Sequence, residues 1–386
     1  MKTQGLLKLG KFISLAMIVA SCQKEKFIPD QQNSLTDASI ASSLAKGGGS
    51  TATISVFATG LNNPRGLKFG PDDYLYVAEG GVGGTNSTAG QCTQVIPPIG
   101  PYKGSSTGGR ISKISSKGVR TTVTDQLPTT QNAFAEVSGA ADIAFVGNDL
   151  YALISGAGCS HGVSSMPNGI VKISRNGSIT LLANLSNWSL HHPVANPEED
   201  DYEPDGDWYS MVYMKGNFYA VEANHGELVK ITPTGAISRV IDISASQGHI
   251  VPTALAFNDN FYVGNLNPFP IINGASKIFK ITPAGNISIS ASGFTTILGL
   301  VTDKKDRMYV LQNTTGFPFP TPTAGSIIRV DRNGNKETIA TGLSLPTGMT
   351  MGPDGNLYVS NVGFGPTSIG GGQILKITLP KKDHDD

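Results

Sequence analysis

The sequence predicts an all-β chain folded as a six-bladed β-propeller, and three observations carry that prediction. A short strand built around a tyrosine recurs six times, an alternating strand with a basic residue in third place also recurs six times, and the two alternate strictly. With 47 Gly and 23 Pro among 386 residues and no collagen-like period, the composition suits many short strands joined by tight turns.

The tyrosine anchors are Leu75-Tyr76-Val77, Leu150-Tyr151-Ala152, Phe218-Tyr219-Ala220, Phe261-Tyr262-Val263, Met308-Tyr309-Val310 and Leu357-Tyr358-Val359. The basic anchors centre on Lys113, Lys172, Lys230, Lys280, Arg329 and Lys376, separated by 59, 58, 50, 49 and 47 residues. The first two units therefore carry the larger insertions. Each basic anchor but the last runs into a turn with glycine (Gly118, Gly177, Gly235, Gly285, Gly334) and then another β-rich run, the signature of a hairpin. Upstream of each tyrosine lies an apolar strand such as Pro64–Phe69 or Pro346–Met351, so each unit is four antiparallel strands. Six such units stack radially into a ring with only short edges. The sixth unit lacks an outer strand, and Thr53–Thr59, which resembles Glu337–Thr341, is expected to supply it and close the ring.

Outside the repeats, residues 1–22 read as a secretory signal, with Lys2, Lys8 and Lys11 before the apolar run Phe12–Ala20. That run is too short to span a bilayer. It leads into Val19-Ala20-Ser21-Cys22, which resembles the lipobox of bacterial lipoproteins and makes Cys22 the expected lipidation site and membrane anchor; an ordinary secreted protein is the competing reading. Residues 23–51 are too polar for a core and read as a flexible tether, 52–380 as the propeller, and 381–386 as a charged tail. Lys+Arg and Asp+Glu both number 29, so there is no net field to attract nucleic acid, and no such partner is expected.

The residue three places after each anchor tyrosine is Glu79, Ile154, Glu222, Asn265, Gln312 or Asn361. These positions end the second strand of each unit and are expected to ring one face near the channel mouth. Glu79, Glu222, Asn265 and Asn361 are accordingly candidate oxygen ligands for a divalent cation, Ca²⁺ or Mg²⁺, which would activate water or a carbonyl for hydrolysis. A ring of solvated polar groups is the plainer reading. The same face carries the insertions Gly80–Gly109, Gly156–Gly169, Asn267–Ser276 and Thr314–Gly325, so it is the expected binding surface.

Cys92 and Cys159 fall in the first two of these insertions, which adjacent blades present side by side, and in an oxidising compartment they predict a disulfide. A reactive Cys159–His161 pair is the weaker alternative, lacking an orienting third group. Asn196–Asp207 packs seven carboxylates into twelve positions without the ligand ladder of an EF-hand, and reads as a solvated acidic loop or a cation site between blades. His191, His192 and His225 beside these segments read as exposed histidines or a weak transition-metal site. No G-x-S-x-G elbow, P-loop, dinucleotide glycine pattern or C-x-x-C occurs.

Phe57–Leu67 (FATGLNNPRGL), Leu75–Gly84 (LYVAEGGVGG) and Tyr219–Lys230 (YAVEANHGELVK) resemble ScyD/ScyE family proteins, over essentially residues 52–380. That resemblance implies the propeller but no activity. The Pro-x-Gly-Leu and Asp-Gly-x-Leu-Tyr-Val patterns are more distantly similar to NHL repeats and gluconolactonase-type hydrolases, whose Glu, Asn and Asp ligands surround a central divalent metal. Glu79, Asn265 and Asn361 match those ligands by blade position only, and no matching catalytic Asp stands among the six equivalent residues. Three functions follow as expectations: a lipid-anchored binding or scaffold propeller facing a small molecule, glycan or protein; a metal-dependent lactonase; and a quinone-dependent sugar dehydrogenase, for which a His/Arg cofactor set is missing.

Overall fold

The computed structural model describes residues 52–197, 202–316, 318–365 and 369–380, all within the compact unit Ser50–Asp386. The signal, Cys22, the tether and the charged tail lie outside the described residues. Six antiparallel sheets follow one another along the chain. The first has strands Pro64–Phe69, Leu75–Glu79, Lys103–Ile114 and Arg120–Gln131, with Val137–Ser138 as a short fifth. The next four each have four consecutive strands, beginning at Ala140, Trp208, Pro252 and Ile297.

The sixth blade is Gly348–Met351, Leu357–Asn361 and Ile369–Thr378, completed by Thr53–Asn62 as its outer strand with Thr53 opposite Thr378 and Ala58 opposite Ile374. The first residues of the propeller thus close the last blade, as the missing strand in the repeat requires.

The two repeated anchors turn out to be one structural unit. Tyr76 pairs with Lys113, Tyr151 with Lys172, Tyr219 with Lys230, Tyr262 with Lys280, Tyr309 with Arg329, and Tyr358 with Lys376, each directly across the second and third strands. A cation over or beside an aromatic face is a favourable cross-strand pair. In blades one and six an aspartate at the preceding turn completes it: Asp72 bonds Lys113 at 2.7 Å and Tyr76 at 3.0 Å, and Asp354 bonds Lys376 at 2.7 Å and Tyr358 at 3.1 Å.

Buried apolar side chains fall into six clusters, one at every blade junction. One joins Ile111 and Leu127 of blade one to Ile143 and Val171 of blade two. Another joins Leu67 and Val77 of blade one to Ala58 and Ile374 of blade six, so the cores form an unbroken ring. Alternation along each strand sends apolar residues into these layers. Around the axis the inner strands approach so closely that a Cβ on Gly66 would come within 2.1 Å of the Asp142 carboxylate, which explains glycine after Arg65. The five turn glycines from Gly118 to Gly334 all have φ between +77° and +88°, the left-handed conformation the hairpins need.

Candidate functional site

At one end of the ring a cavity of about 840 Å³ opens between the blades. Its rim is apolar and comes from the insertions of blades one, four and five together with two short loops. Ile96 (52% exposed), Phe134 (54%) and Phe269 (65%) stand in solvent around it. Phe269, Phe319 and Phe364 form a ladder across blades four, five and six, with ring centroids 5.4 Å and 6.1 Å apart. The floor is polar: Arg65 and Tyr209 come from inner strands and Asp207 from the residue just before one, with Glu136 and Ser155 also in the lining.

Arg65 reaches from the first inner strand to the Val137 carbonyl, Nη2 to O 2.7 Å. Asp207 takes the Ser155 hydroxyl at 2.7 Å on Oδ1. Burial, reinforced by the Glu203 carboxylate and offset in part by His161 and Arg65, pushes Asp207 up to about 6. Burial likewise pushes the Tyr209 phenol up to about 12, against the pull of Arg65. A carboxyl group that titrates near neutrality in a cleft is a common mark of a working site.

Beneath this floor the acidic connection enters the protein. Glu203 and Asp205 are each only 6% exposed, so the described part of the stretch is a buried network and not the solvated loop expected from composition; residues 198–201 lie outside the described residues. Ser160 donates through its backbone N–H and its hydroxyl to Asp205 Oδ2, at 2.8 Å and 2.6 Å. Glu203 meets His161 Nε2 at 2.9 Å and takes the Tyr102 hydroxyl at 2.8 Å. Burial drags His161 down, but its bond to Glu203 and the nearby Asp205 and Asp207 outweigh that and hold it above its ordinary value. His161 and His225 are each 1% exposed; His225 bonds the Glu203 carbonyl at 2.9 Å and is lowered by burial, while His191 and His192 stay exposed.

Cys92 and Cys159 are joined by a disulfide, with Cα atoms 6.3 Å apart, which fastens the first insertion to the second. The thiol that a Cys159–His161 pair would need is consumed in that bond.

The six residues that follow the tyrosines do not act as one ring. The five polar ones each tie down the loop leading into their own blade. Glu79 accepts the Asn62 N–H at 2.6 Å, Glu222 that of Asp207 at 2.6 Å, Gln312 that of Thr295 at 2.6 Å and Asn361 that of Ser344 at 2.8 Å, while Asn265 donates to the Ile250 carbonyl at 2.9 Å. Ile154 is simply buried.

The four nominated cation ligands offer no free oxygen. Both oxygens of Glu79 are taken by Arg110 (2.9 Å and 2.5 Å), and Ser112 and Asn62 bond them as well. Glu222 is held by four backbone N–H groups, from Asp207, Asn224, His225 and Gly226, and burial raises it well above its ordinary value. Asn265 and Asn361 use Oδ1 on the N–H groups of Lys277 and Ser344. A divalent cation needs six or more oxygens turned toward it, so these side chains as arranged do not fit one. Among the described residues no group of three or more His, Cys, Asp or Glu is placed to hold a metal ion.

The floor and the phenylalanine ladder are the cavity-lining residues that the sequence did not single out. A signal for the ladder was present: each of the three phenylalanines sits beside Pro or Gly in the loop after its blade's second strand, as Pro268-Phe269-Pro270, Pro318-Phe319-Pro320 and Gly363-Phe364-Gly365.

No family model and no curated protein matches the chain. Solved structures do. A protein of unknown function from Bacteroides thetaiotaomicron is 12% identical with a TM-score of 0.53, covering 85% of this chain and 76% of its own. A gluconolactonase from Xanthomonas campestris is 12% identical at 0.53, covering 85% and 90%. The PQQ-bound aldose sugar dehydrogenase from Streptomyces coelicolor is 14% identical at 0.51, covering 85% and 98%. At such identities the likeness is one of fold, and it makes the chain a six-bladed β-propeller of the architecture seen in gluconolactonases and sugar dehydrogenases.

Proposed function

We propose that this propeller is a binding protein whose loop-rich mouth takes up a small amphipathic molecule. The observation that carries the reading is a cavity of about 840 Å³ with an aromatic rim and a polar floor. That volume lies within the range of small-molecule sites, which are mostly apolar with a few placed polar groups. Phe269, Phe319 and Phe364 would cover the apolar body of the ligand, and Arg65, Asp207 and Tyr209 would meet its polar end. A metal-dependent lactonase, the other reading of the sequence, loses support because its nominated ligands spend their oxygens on the loops of their own blades.

We also propose export and a lipid anchor at Cys22, and membership of the ScyD/ScyE family. The signal-like residues 1–22 support the first, and the motifs Phe57–Leu67, Leu75–Gly84 and Tyr219–Lys230 support the second. The Cys92–Cys159 bond supports an oxidising compartment.

The mouth is tested with the full chain carrying Cys22→Ser, which needs no detergent, and the neutral dye Nile red. Saturable blue-shifted fluorescence, weakened about tenfold by the Phe269→Ala/Phe319→Ala pair, is expected for two lost aromatic contacts. Binding that ignores the pair would overturn the reading.

A further inference from the structure

The charges on the cavity floor do not balance from within. Most carboxylates near Asp207 have partners of their own. Glu203 has His161, Glu222 has four backbone N–H groups, and Asp142 takes the Met211 N–H at 2.8 Å with Lys68 at 4.0 Å. Glu136 and Asp207 remain, facing the Arg65 guanidinium, with the His249 imidazole also on the cavity lining. Arg65 acts on both electrostatically but among the described residues forms an ion pair with neither; it hydrogen-bonds the Val137 carbonyl and the Tyr209 hydroxyl instead. Each acid has one oxygen bonded, Glu136 Oε2 to Asn132 Nδ2 at 2.8 Å and Asp207 Oδ1 to Ser155, which leaves Glu136 Oε1 and Asp207 Oδ2 without a hydrogen bond among the described residues.

We propose that the ligand supplies the missing charge: the mouth takes a compact cation, of the primary ammonium class, carried on an apolar or aromatic body. The ammonium sits on the floor against Asp207 Oδ2, with Glu136 adding its negative charge to the same cavity lining, and the body lies against Phe269 and Phe319. This rests on the reading of the mouth as an amphiphile site. The chemistry is that of any desolvated ion, since a buried charge is tolerated when paired and hydrogen-bonded, and here the wall presents acceptors in excess of donors. A carboxylate ligand would meet Arg65 but also two like charges. An alcohol would leave the excess charge unmatched.

The groups facing Asp207 set the expected pH behaviour. Glu203 and the burial of the site favour its protonated form, while Arg65, His161 and the Ser155 hydroxyl favour the ionised one, and the balance lies near 6. Ammonium binding therefore strengthens as pH rises through that value.

The test is displacement of Nile red from the Cys22→Ser chain by 4-phenylbutylamine, 4-phenylbutan-1-ol and 4-phenylbutanoate, at pH 5 and pH 7.5. At pH 7.5 the amine is expected to displace dye at about one-tenth the concentration of the alcohol, the worth of one charge-assisted hydrogen bond. That advantage shrinks at pH 5 and in Asp207→Asn. The pH series on otherwise unaltered chain keeps the test decisive if the variant does not fold. Equal displacement by amine and alcohol, or preference for the carboxylate, overturns the cationic class while leaving the amphiphile site standing. Failure of Nile red to bind the mouth removes both.

Discussion

The Glu79 carboxylate receives the Asn62 backbone N–H at 2.6 Å while Arg110 clasps it at 2.5 Å, so one buried side chain ties the ring-closing strand to the first blade. Glu79 is fully buried and Arg110 is nearly so. Removing one member of such a pair leaves the other charge uncompensated, and Glu79→Gln is expected to lower unfolding free energy by about 3–5 kcal/mol in urea titration. A loss below about 1 kcal/mol, the level of an exposed pair, would contradict the role assigned to it.

The same assignment speaks to metal. With every side-chain oxygen of Glu79, Glu222, Asn265 and Asn361 already accepting a hydrogen bond, neither EDTA nor millimolar Ca²⁺ is expected to move the melting temperature of the purified chain. A Ca²⁺-dependent rise, or metal retained through purification, would restore the ring to candidacy.

The Cys92–Cys159 bond closes a sequence separation of 67 residues. Chain-entropy arguments put a closure of that length at about 4 kcal/mol. Replacing both cysteines by serine should lower unfolding free energy by about that much. Because the bond fastens the first insertion, the same variant should also weaken Nile red binding. A variant as stable as the parent would contradict the contribution.

Asp207 makes a prediction in pH. Its folded value, near 6, lies above the ordinary 3.8, so the native protein holds the proton more tightly than the unfolded chain does. The stabilisation this provides is complete below about pH 4 and is lost as pH climbs through 6. Asp207→Asn escapes that loss and should melt higher than the parent at pH 7.5 but not at pH 4. His161, also raised, loses its contribution in the same direction, and because Asp207 is one of the groups that hold it up, the difference between the two proteins reports Asp207 together with its coupling to His161. A melting difference independent of pH would contradict the assignment.

The frame of this protein is written in its repeats. Tyr76 and Lys113, and their five counterparts, recur because each pair meets across two strands, and the orphan strand Thr53–Asn62 was identifiable because the last blade lacked one. The site was less legible. Glu79 and Asn361 have the residue types of a solvated ring or of a set of loop ties, and only the path of each loop decides whether a backbone N–H lies within reach. Glu203 and Asp205 sit in an acidic run that reads as solvated. Their burial depends on His161 and Ser160, which arrive from another blade 42 and 45 residues away in sequence. Arg65 stands in the Pro-x-Gly-Leu pattern, yet which way it points is set by the inner strand's register.

A crystal structure of the chain grown with 4-phenylbutylamine tests the central claim most directly. One molecule is expected in the mouth, its nitrogen within hydrogen-bond distance of Asp207 and its ring against Phe269 and Phe319. A molecule bound elsewhere on the propeller, or a mouth filled only by water at saturating amine, would contradict it.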